Sequence, residues 1–286
     1  MKRRSFLSLI FPASTLIAGC AKQRPFYFIQ MADTQIGMID GGKEGNNFAR
    51  ETEILETVMT QINRLEPPPA FVAVCGDLTQ TPAHEKQIAE YKRLMGLLDP
   101  VIPYYNVPGN HDFSGNPNPD NLAFYRDTYG PDWYSFKLNG WNFIALNSTL
   151  MKFSENCRDE ADAQIDWLKT ELNASMHKDI TGTIVFMHHL FFDHFIDEDD
   201  GYFSLPKAGR RFYLDLFAER NVRAVFSGHR HTTIPGNSYR GVRLINTNAV
   251  CNSFDGHPGL REVLPFQNRI YHAFYPYNDL PVNVET

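Results

Sequence analysis

The stretch YYNVPGNHD, residues 104–112, carries the pattern on which the fold prediction depends. A short apolar segment runs through a glycine into three polar side chains, Asn110, His111 and Asp112. Apolar segments of this length, bounded by Gly or Pro, are typical of β-strands in a buried sheet. In open α/β sheets, ligands bind just beyond the carboxyl ends of the strands. The stretch therefore predicts a strand whose end contributes to a functional site.

The same pattern recurs at four other places in the chain. Side chains that can bind a metal follow the apolar segments FYFIQMA, FVAVCG, TIVFM and RAVFSG; in chain order they are Asp33 and Gln35, Asp77, His188 and His189, and His229 and His231. One such histidine or aspartate alone is usually structural. Five strand ends that all carry Asp, Asn or His are hard to produce by chance, so we expect them to converge on one metal site.

Helical patterns separate most of the apolar segments, which indicates helix crossovers between the strands of a parallel or mixed sheet. Amphipathic helices are predicted over 47–65, 83–98, 160–174 and 207–220. Strands are predicted over 26–32, 70–76, 103–107, 133–137, 141–147, 182–188, 222–227, 242–247, 261–265 and 269–275. The sequence shows no repeat and no low-complexity linker, so we expect one α/β domain over residues 25–277.

Composition and charge narrow the possible partners. The chain of 286 residues is 43% hydrophobic and 21% charged, as in ordinary globular proteins, and its net charge is -6. No dense block of Lys or Arg follows the first few residues, so nucleic acid is not expected as a partner. The four cysteines show no CxxC spacing, which argues against a zinc ribbon and against a disulfide framework.

The first twenty residues, MKRRSFLSLIFPASTLIAGC, are interpreted as an export signal. The pair Arg3-Arg4 before an apolar run resembles the twin-arginine signal of bacteria. The ending Ile17-Ala18-Gly19-Cys20 resembles a lipobox, in which Cys20 would carry a lipid, leaving three thiols and at most one disulfide. We therefore expect an exported, lipid-anchored protein at the periplasm or cell surface, whose membrane contact is that lipid. The alternatives are a plain secretory signal and an amphipathic helix.

Taken in order, the strand-end motifs resemble those of the calcineurin-like metallophosphoesterases. The matching segments are Asp33-x-Gln35, Gly76-Asp77, Gly109-Asn110-His111-Asp112, His188 and Gly228-His229-Arg230-His231. Further stretches such as DAQIDWL and IDEDDGYF resemble the calcineurin-like phosphoesterase domain-containing proteins of the protein serine/threonine phosphatase type, in which Gln also replaces the first histidine. The resemblance covers about residues 25–275. It implies a four-layer α/β/β/α sandwich of two mixed β-sheets flanked by helices.

The resemblance also implies a two-metal site and a role for each residue. The first metal would bind Asp33, Gln35, Asp77 and His231, and the second would bind Asp77, Asn110, His188 and His229. A hydroxide that bridges the metals would attack phosphorus, with His111 near the leaving group as a general acid or a charge-stabilising cation. Asp77 would bridge both metals, and Asp112 would orient neighbouring groups. His188 is favoured over His189 as the ligand, although Leu190 replaces the proline that usually marks it.

A ligand set of nitrogen and oxygen without thiolate suits Mn or Fe, and also Zn, Ni, Co or Mg. Gln35 gives a neutral oxygen where histidine would give nitrogen, so we expect the first metal to be held less tightly. Arg230 could face phosphate or lie in a surface turn.

Three functions are compatible with the sequence. The first is hydrolysis of phosphomonoesters, on a small molecule or a phosphoprotein with phosphorylated Ser or Thr. The second is hydrolysis of phosphodiesters such as cyclic nucleotides or phospholipid headgroups, because one fold can serve both reactions. The third is a metal-binding surface protein without catalysis. An exported protein meets few phosphoproteins, which makes that substrate less favoured. The sequence gives no prediction of oligomeric state.

Overall fold

The structure is a computed structural model that describes residues 25–41 and 45–284. Within this part of the chain, five strands form the first sheet: β1 (Phe28–Met31), β2 (Val72–Cys75), β3 (Tyr104–Val107), β10 (Gly259–Phe266) and β11 (Arg269–Pro276). Six form the second sheet: β4 (Tyr134–Leu138), β5 (Trp141–Ala145), β6 (Gly182–Phe186), β7 (Val222–Ser227), β8 (Asn237–Tyr239) and β9 (Val242–Asn246). The order is β11-β10-β1-β2-β3 in the first sheet and β4-β5-β6-β7-β9-β8 in the second.

Both sheets are mixed. The pairs β1–β2, β2–β3, β5–β6, β6–β7 and β7–β9 are parallel, and the strands β10, β11, β4 and β8 add antiparallel pairs. The described helices are α1 (Ala49–Ile62), α2 (Glu85–Met95), α3 (Pro119–Tyr129), α4 (Ser148–Lys152), α5 (Arg158–Ala174) and α6 (Lys207–Glu219). None of them is both long and apolar enough to cross a membrane.

Side chains on the two faces of each strand enter different layers of the core. In β6, Ile184 and Phe186 face the other sheet, whereas Val185 packs with the helices α5 and α6. Because both faces are buried, the strands are continuously apolar, as expected for parallel strands. Between the sheets, the rings of Phe28 and Phe71 stack with their centroids 4.6 Å apart. The helices α1, α2 and α3 cover the outer face of the first sheet.

These layers confirm the predicted four-layer α/β/β/α sandwich of two mixed sheets. All ten predicted strands and all four predicted helices are present. Three elements, β8, α3 and α4, were not predicted from the sequence, because they are short or weakly amphipathic. The start of α3 did carry a signal, because Asn118 forms a capping box with Asn121 ahead of Pro119 at the first helical position.

Other predictions concern the two ends of the chain and the thiols. The predicted export signal lies outside the described residues, and the domain limits 25–277 stay a prediction. Cys75, Cys157 and Cys251 are buried free thiols, which is compatible with the expectation of at most one disulfide.

Candidate metal centre

The loops that follow β1, β2, β3, β6 and β7 meet at one edge of the sandwich. Two groups of metal-capable side chains lie there, all of them buried: Asp33, Asp77 and His231 in one, and Asp77, His188 and His229 in the other. Within each group the potential ligand atoms all lie within 4.8 Å of one another. Asp77 belongs to both groups. The predicted convergence of strand ends therefore holds for these five residues.

Backbone carbonyl groups fix the orientation of two of the histidine rings. His188 Nδ1 lies 2.9 Å from the carbonyl oxygen of Cys75, and His231 Nδ1 lies 2.6 Å from that of Asn252. A carbonyl oxygen needs a donor, so Nδ1 carries the hydrogen in both rings. His188 Nε2 then lies 3.2 Å from Asp77 Oδ2, and His231 Nε2 lies 3.2 Å from Asp33 Oδ1. A carbonyl partner of this kind typically orients a metal-binding histidine.

Asn110 and His229 complete the side of the site that contains His188. Asn110 Oδ1 lies 3.1 Å from His188 Nε2, so the amide oxygen borders the same space as the Asp77 carboxylate. His229 Nε2 lies 3.3 Å from the carbonyl oxygen of Tyr202, which leaves Nδ1 for the centre. The main-chain N–H of His229 donates to the Asp33 carboxylate and so connects the ends of β7 and β1 across the two sheets.

Gln35 has one atom without a partner. Its Nε2 donates to Gln80 Oε1 at 3.0 Å, while its Oε1 is buried without a hydrogen-bond partner. A buried amide oxygen without a partner is energetically costly, and coordination of a cation would relieve that cost. This orphaned oxygen and the carboxylate and imidazole groups around it fit a divalent metal ion.

The backbone of the site is strained. Five predicted metal residues have positive φ angles: 56° at Asp33, 39° at Gln35, 52° at Asp77, 70° at His229 and 52° at His231. Such angles cost free energy in residues other than glycine and tend to cluster at functional sites. The strained backbone conformation at these residues therefore orients their side chains toward the common site.

The glycines of the motifs leave room for the neighbouring polar groups. A Cβ atom at Gly109 would collide with the carboxylate and the backbone of Asp77, and one at Gly228 would lie 2.6 Å from Asp33 Oδ2. Neither of these two glycines is among those with a positive φ. Close approach to Asp77 and Asp33, and not a left-handed backbone, therefore explains why these two positions are glycine.

Charges in the centre favour a cation. Burial alone would raise the pKa of Asp77, but the rings of His188, His111 and His229 hold that pKa well below its usual range. Burial lowers the pKa of His188, yet Asp77 and Asp33 outweigh this effect and raise it to about 9. A proton on His188 thus balances part of the negative charge of Asp77 and Asp33, and a bound metal ion would take the place of this proton.

Comparison with known proteins agrees with this geometry. Residues 26–233 match the model of the calcineurin-like phosphoesterase family. The serine/threonine-protein phosphatase CPPED1 of Mus musculus is 34% identical over 267 residues, which cover 90% of this chain and 85% of the mouse protein. The chain belongs to the calcineurin-like phosphoesterase family. It is therefore placed among hydrolases of phosphate esters, as the sequence motifs predicted.

Two further proteins are similar to this chain in fold or in sequence. A dimetal phosphatase from Danio rerio has the same fold, with a TM-score of 0.66 at 14% identity over 89% of this chain and 97% of the zebrafish chain. A probable cyclic nucleotide phosphodiesterase of Psychrobacter is 26% identical over 187 residues, which cover 62% of this chain and 51% of that protein. Membership of the family implies two metal ions at the strand ends.

Two residues of the phosphoesterase motifs lie beside the buried groups. The main-chain N–H of His111 donates to Asp77 Oδ1 at 2.9 Å, and His111 Nδ1 lies 3.0 Å from the carbonyl oxygen of Gln80. The Asp112 carboxylate accepts hydrogen bonds from the main-chain N–H groups of Leu78 and Gly109. Asp112 thus ties the Gly-Asp motif to the Gly-Asn-His-Asp motif. Its burial and the charge of Asp77 raise its pKa.

The adjacent residues His188 and His189 have different surroundings in the structure. His189 Nδ1 lies 2.9 Å from Ser148 Oγ, and its ring centroid lies 4.6 Å from that of His229. Burial and the charges of His229 and His188 hold the pKa of His189 well below its usual value. His189 therefore packs behind the centre as a neutral ring, and His188 is the histidine that lies against Asp77.

Arg230 does not point freely into solvent. Its Nε lies 3.3 Å from Asp193 Oδ1, and its guanidinium lies 4.4 Å from the ring centroid of Phe203. Of the two alternatives that the sequence left open, a position facing phosphate and one in a surface turn, these contacts favour the surface turn.

The segment 193–206 covers the His229 side of the centre. Lys152 Nζ donates to the carbonyl oxygens of Gly201, Tyr202 and Ser204 at 2.9, 2.5 and 2.7 Å. The fully buried Arg210 donates to the carbonyls of Leu205, Ile196, Glu198 and Asp199. The hydroxyl oxygen of Tyr202 accepts a long hydrogen bond from Asn110 Nδ2 at 3.4 Å. The motif IDEDDGYF was the only sequence signal for this cover.

Proposed function

We propose that the protein hydrolyses phosphomonoesters with the help of two divalent metal ions bound on either side of Asp77. The observation that carries this proposal is the pair of buried side-chain groups that share the Asp77 carboxylate. A carboxylate with two oxygens can bind two cations at once and offset part of the repulsion between them. The name of the mouse relative, a serine/threonine-protein phosphatase, supports a monoester as the substrate.

In the proposed site, each metal has four protein ligands. The first binds Asp33, Gln35, Asp77 and His231, and the second binds Asp77, Asn110, His188 and His229. Two bound cations would neutralise phosphate charge and lower the pKa of a water molecule. The protein's own part is to fix the ligand rings through Cys75 and Asn252, and to hold the backbone in the strained conformations that direct the side chains.

His111 is proposed as the catalytic residue on the leaving-group side. Its main chain is fixed by Asp77, and Nδ1 lies against the carbonyl oxygen of Gln80, which leaves Nε2 available to a substrate. A protonated Nε2 can donate to the ester oxygen as the P–O bond breaks. The same N–H can stabilise negative charge on phosphate.

Mn or Fe is proposed as the native metal. The centre offers four oxygen ligands, from Asp33, Gln35, Asp77 and Asn110, and three imidazoles but no thiolate. Such a mixed set suits Mn and Fe, while Zn, Ni, Co and Mg remain alternatives for the test.

A phosphodiesterase activity is the second candidate. The name of the Psychrobacter relative, a probable cyclic nucleotide phosphodiesterase, favours it, although that protein matches a smaller part of the chain. Parallel assays with p-nitrophenyl phosphate and bis-p-nitrophenyl phosphate, each with Mn, distinguish the two. We expect faster cleavage of the monoester. Faster cleavage of the diester would reverse the assignment, and no turnover of either after metal reconstitution would leave a metal-binding protein without catalysis.

Export and lipid attachment at Cys20 are also proposed, from the signal-like residues 1–20. Twin-arginine export moves folded proteins, so metals could enter the site in the cytoplasm. Mass spectrometry of protein from the membrane fraction tests this point. A mature chain that begins with a lipid-modified Cys20 is expected, and an unprocessed N-terminus would refute it.

A further inference from the structure

A surface cavity that none of the proposed metal residues lines opens between the strand pair β8–β9 of the second sheet and the hairpin β10–β11 of the first. Its volume is about 370 Å³. Arg243 from β9, Arg261 from β10 and His272 from β11 line it together, and Ser238 and Asn246 add a hydroxyl and an amide. Three strands that are distant in sequence thus bring two guanidinium groups and one imidazole into the same wall.

The two arginines of this cavity have no acidic partner. In the described part of the chain, neither Arg243 nor Arg261 has a carboxylate within ion-pair distance, and no acid contributes to the pKa of either. Burial and the charge of Arg243 lower the pKa of Arg261 to about 10. Arg126, by contrast, pairs with both Asp132 and Glu160. In a chain with a net charge of -6, this cavity is a local concentration of positive charge.

His272 cannot satisfy both arginines. Arg243 Nη2 lies 2.5 Å from His272 Nε2, and Arg261 Nη1 lies 2.9 Å from His272 Nδ1. Burial and the two arginines lower the pKa of His272 to about 3, so the ring is neutral. A neutral imidazole has one acceptor nitrogen and one N–H. One guanidinium therefore faces an N–H group, and the arrangement lacks an acceptor.

Part of the role of these arginines is structural. Arg261 donates to the carbonyl oxygen of Asn246 and to Thr247 Oγ1, and Arg243 donates to the carbonyl oxygen of Ile270. These neutral acceptors hold the guanidiniums in place without neutralising their charge. The buried Arg210 differs, because four carbonyl oxygens and the Ser204 hydroxyl accept its hydrogen bonds.

We propose that this cavity is a second anion site, which binds a phosphate-type oxyanion between Arg243 and Arg261. The planar fork of a guanidinium matches the paired oxygens of phosphate, and an anion between the two cations removes their mutual repulsion. The cavity is larger than one phosphate ion, so it also accommodates a phosphoryl group carried on a small organic molecule. This site is distinct from the metal centre and does not depend on the proposed reaction.

Calorimetric titration of the full chain tests the proposal. Metals are first removed with a chelator and dialysis, so that the metal centre cannot hold phosphate through cations. Inorganic phosphate is then titrated against a sodium chloride control of equal ionic strength, and O-phosphoserine is titrated in parallel. We expect saturable binding of phosphate by the wild-type chain and none in the chloride control. Binding of O-phosphoserine with similar affinity shows that the phosphoryl group alone is recognised, whereas binding of inorganic phosphate alone shows a site for the free ion.

Variants locate the binding. Arg243→Gln is expected to weaken phosphate binding by about tenfold or more, because it removes a charged hydrogen-bond donor. Arg269→Gln is the matched control, since Arg269 is an exposed arginine on the same hairpin. This variant should bind phosphate with the same affinity as the wild type. Arg261→Gln should have a larger effect, with circular dichroism to confirm folding. No saturable binding by the wild type, or equal affinities in the wild type and Arg243→Gln, would overturn the proposal.

Discussion

In the proposed centre, one side of Asp77 has Asp33, Gln35 and His231, and the other has Asn110, His188 and His229. The first side offers three oxygens and one nitrogen when Asp77 is counted, and the second offers two of each. Oxygen ligands suit harder cations, whereas imidazole suits Fe, Zn or Ni. The two halves of the proposed centre should therefore differ in affinity and in metal preference, although they share one carboxylate.

The two halves also differ in their surroundings. The second half lies under the segment 193–206, where Tyr202 contacts both Asn110 and His229. At the first half, the ring of the exposed Phe254 stacks on His231 with centroids 4.7 Å apart. Two ligands of the second half, Asn110 and His229, are thus held by this covering segment. We expect the first half to be the one that loses its metal more readily.

Loss of the shared carboxylate should have the largest effect. In Asp77→Asn, both metals lose a charged ligand, and phosphatase activity should fall by about 10³-fold or more. Activity with p-nitrophenyl phosphate and metal content measure the result. Asp127→Asn, an exposed aspartate on α3, is the control and should remain active. An Asp77→Asn variant with normal activity and metal content would exclude a shared ligand.

Removal of His111 separates chemistry from metal binding. His111→Gln should lower kcat by about 10²- to 10⁴-fold while both metals remain bound, because a general acid contributes in that range. The loss should be smaller for aryl phosphates with acidic leaving groups than for alkyl phosphates, which need protonation more. Equal losses for both substrate types would show that His111 does not protonate the leaving group.

Loosening the cover of the second half should have a smaller effect. Tyr202→Phe removes the hydroxyl that contacts Asn110, a hydrogen bond worth about 1 kcal/mol, so a several-fold loss of kcat/KM is expected. Tyr104→Phe, on the edge strand β3, serves as the matched control. If both variants behave alike, the hydroxyl of Tyr202 has no part in the reaction.

Replacement of the unusual ligand should change metal preference more than rate. Gln35→His introduces a nitrogen ligand into the first half, so activity should persist while the affinity for Zn or Ni rises relative to Mn. Activity after reconstitution with each metal measures the change. A variant with unchanged metal affinities would remove Gln35 from the ligand set.

The sequence predicted those features that depend on local pattern. Asp33, Asp77 and His229 follow apolar strands directly, and parallel strands place such ends together. Contacts between distant segments could not be predicted in this way. Lys152 and the carbonyl of Tyr202 are 50 residues apart and meet only because the cover folds back over the site.

The second anion cavity illustrates the same limit. His272 is not linked to Arg243 or Arg261 by any motif in the sequence. Its proximity to Arg243 and Arg261 depends on the register of β10 with β11 and on the packing of two sheets. Neither is encoded in a local motif, because alternation of apolar and polar residues fixes a strand's faces but not its neighbour across the sandwich.

Metal titration of the metal-free full chain tests the shared-carboxylate account most directly. In a calorimetric titration with Mn, the wild type should bind two ions per chain with unequal affinities. The affinity of the weaker binding step should be the one that changes in Gln35→His. In Asp77→Asn both steps should weaken together. A wild-type chain that binds a single ion, or an Asp77→Asn variant that loses only one step, would contradict a centre built from two halves around Asp77.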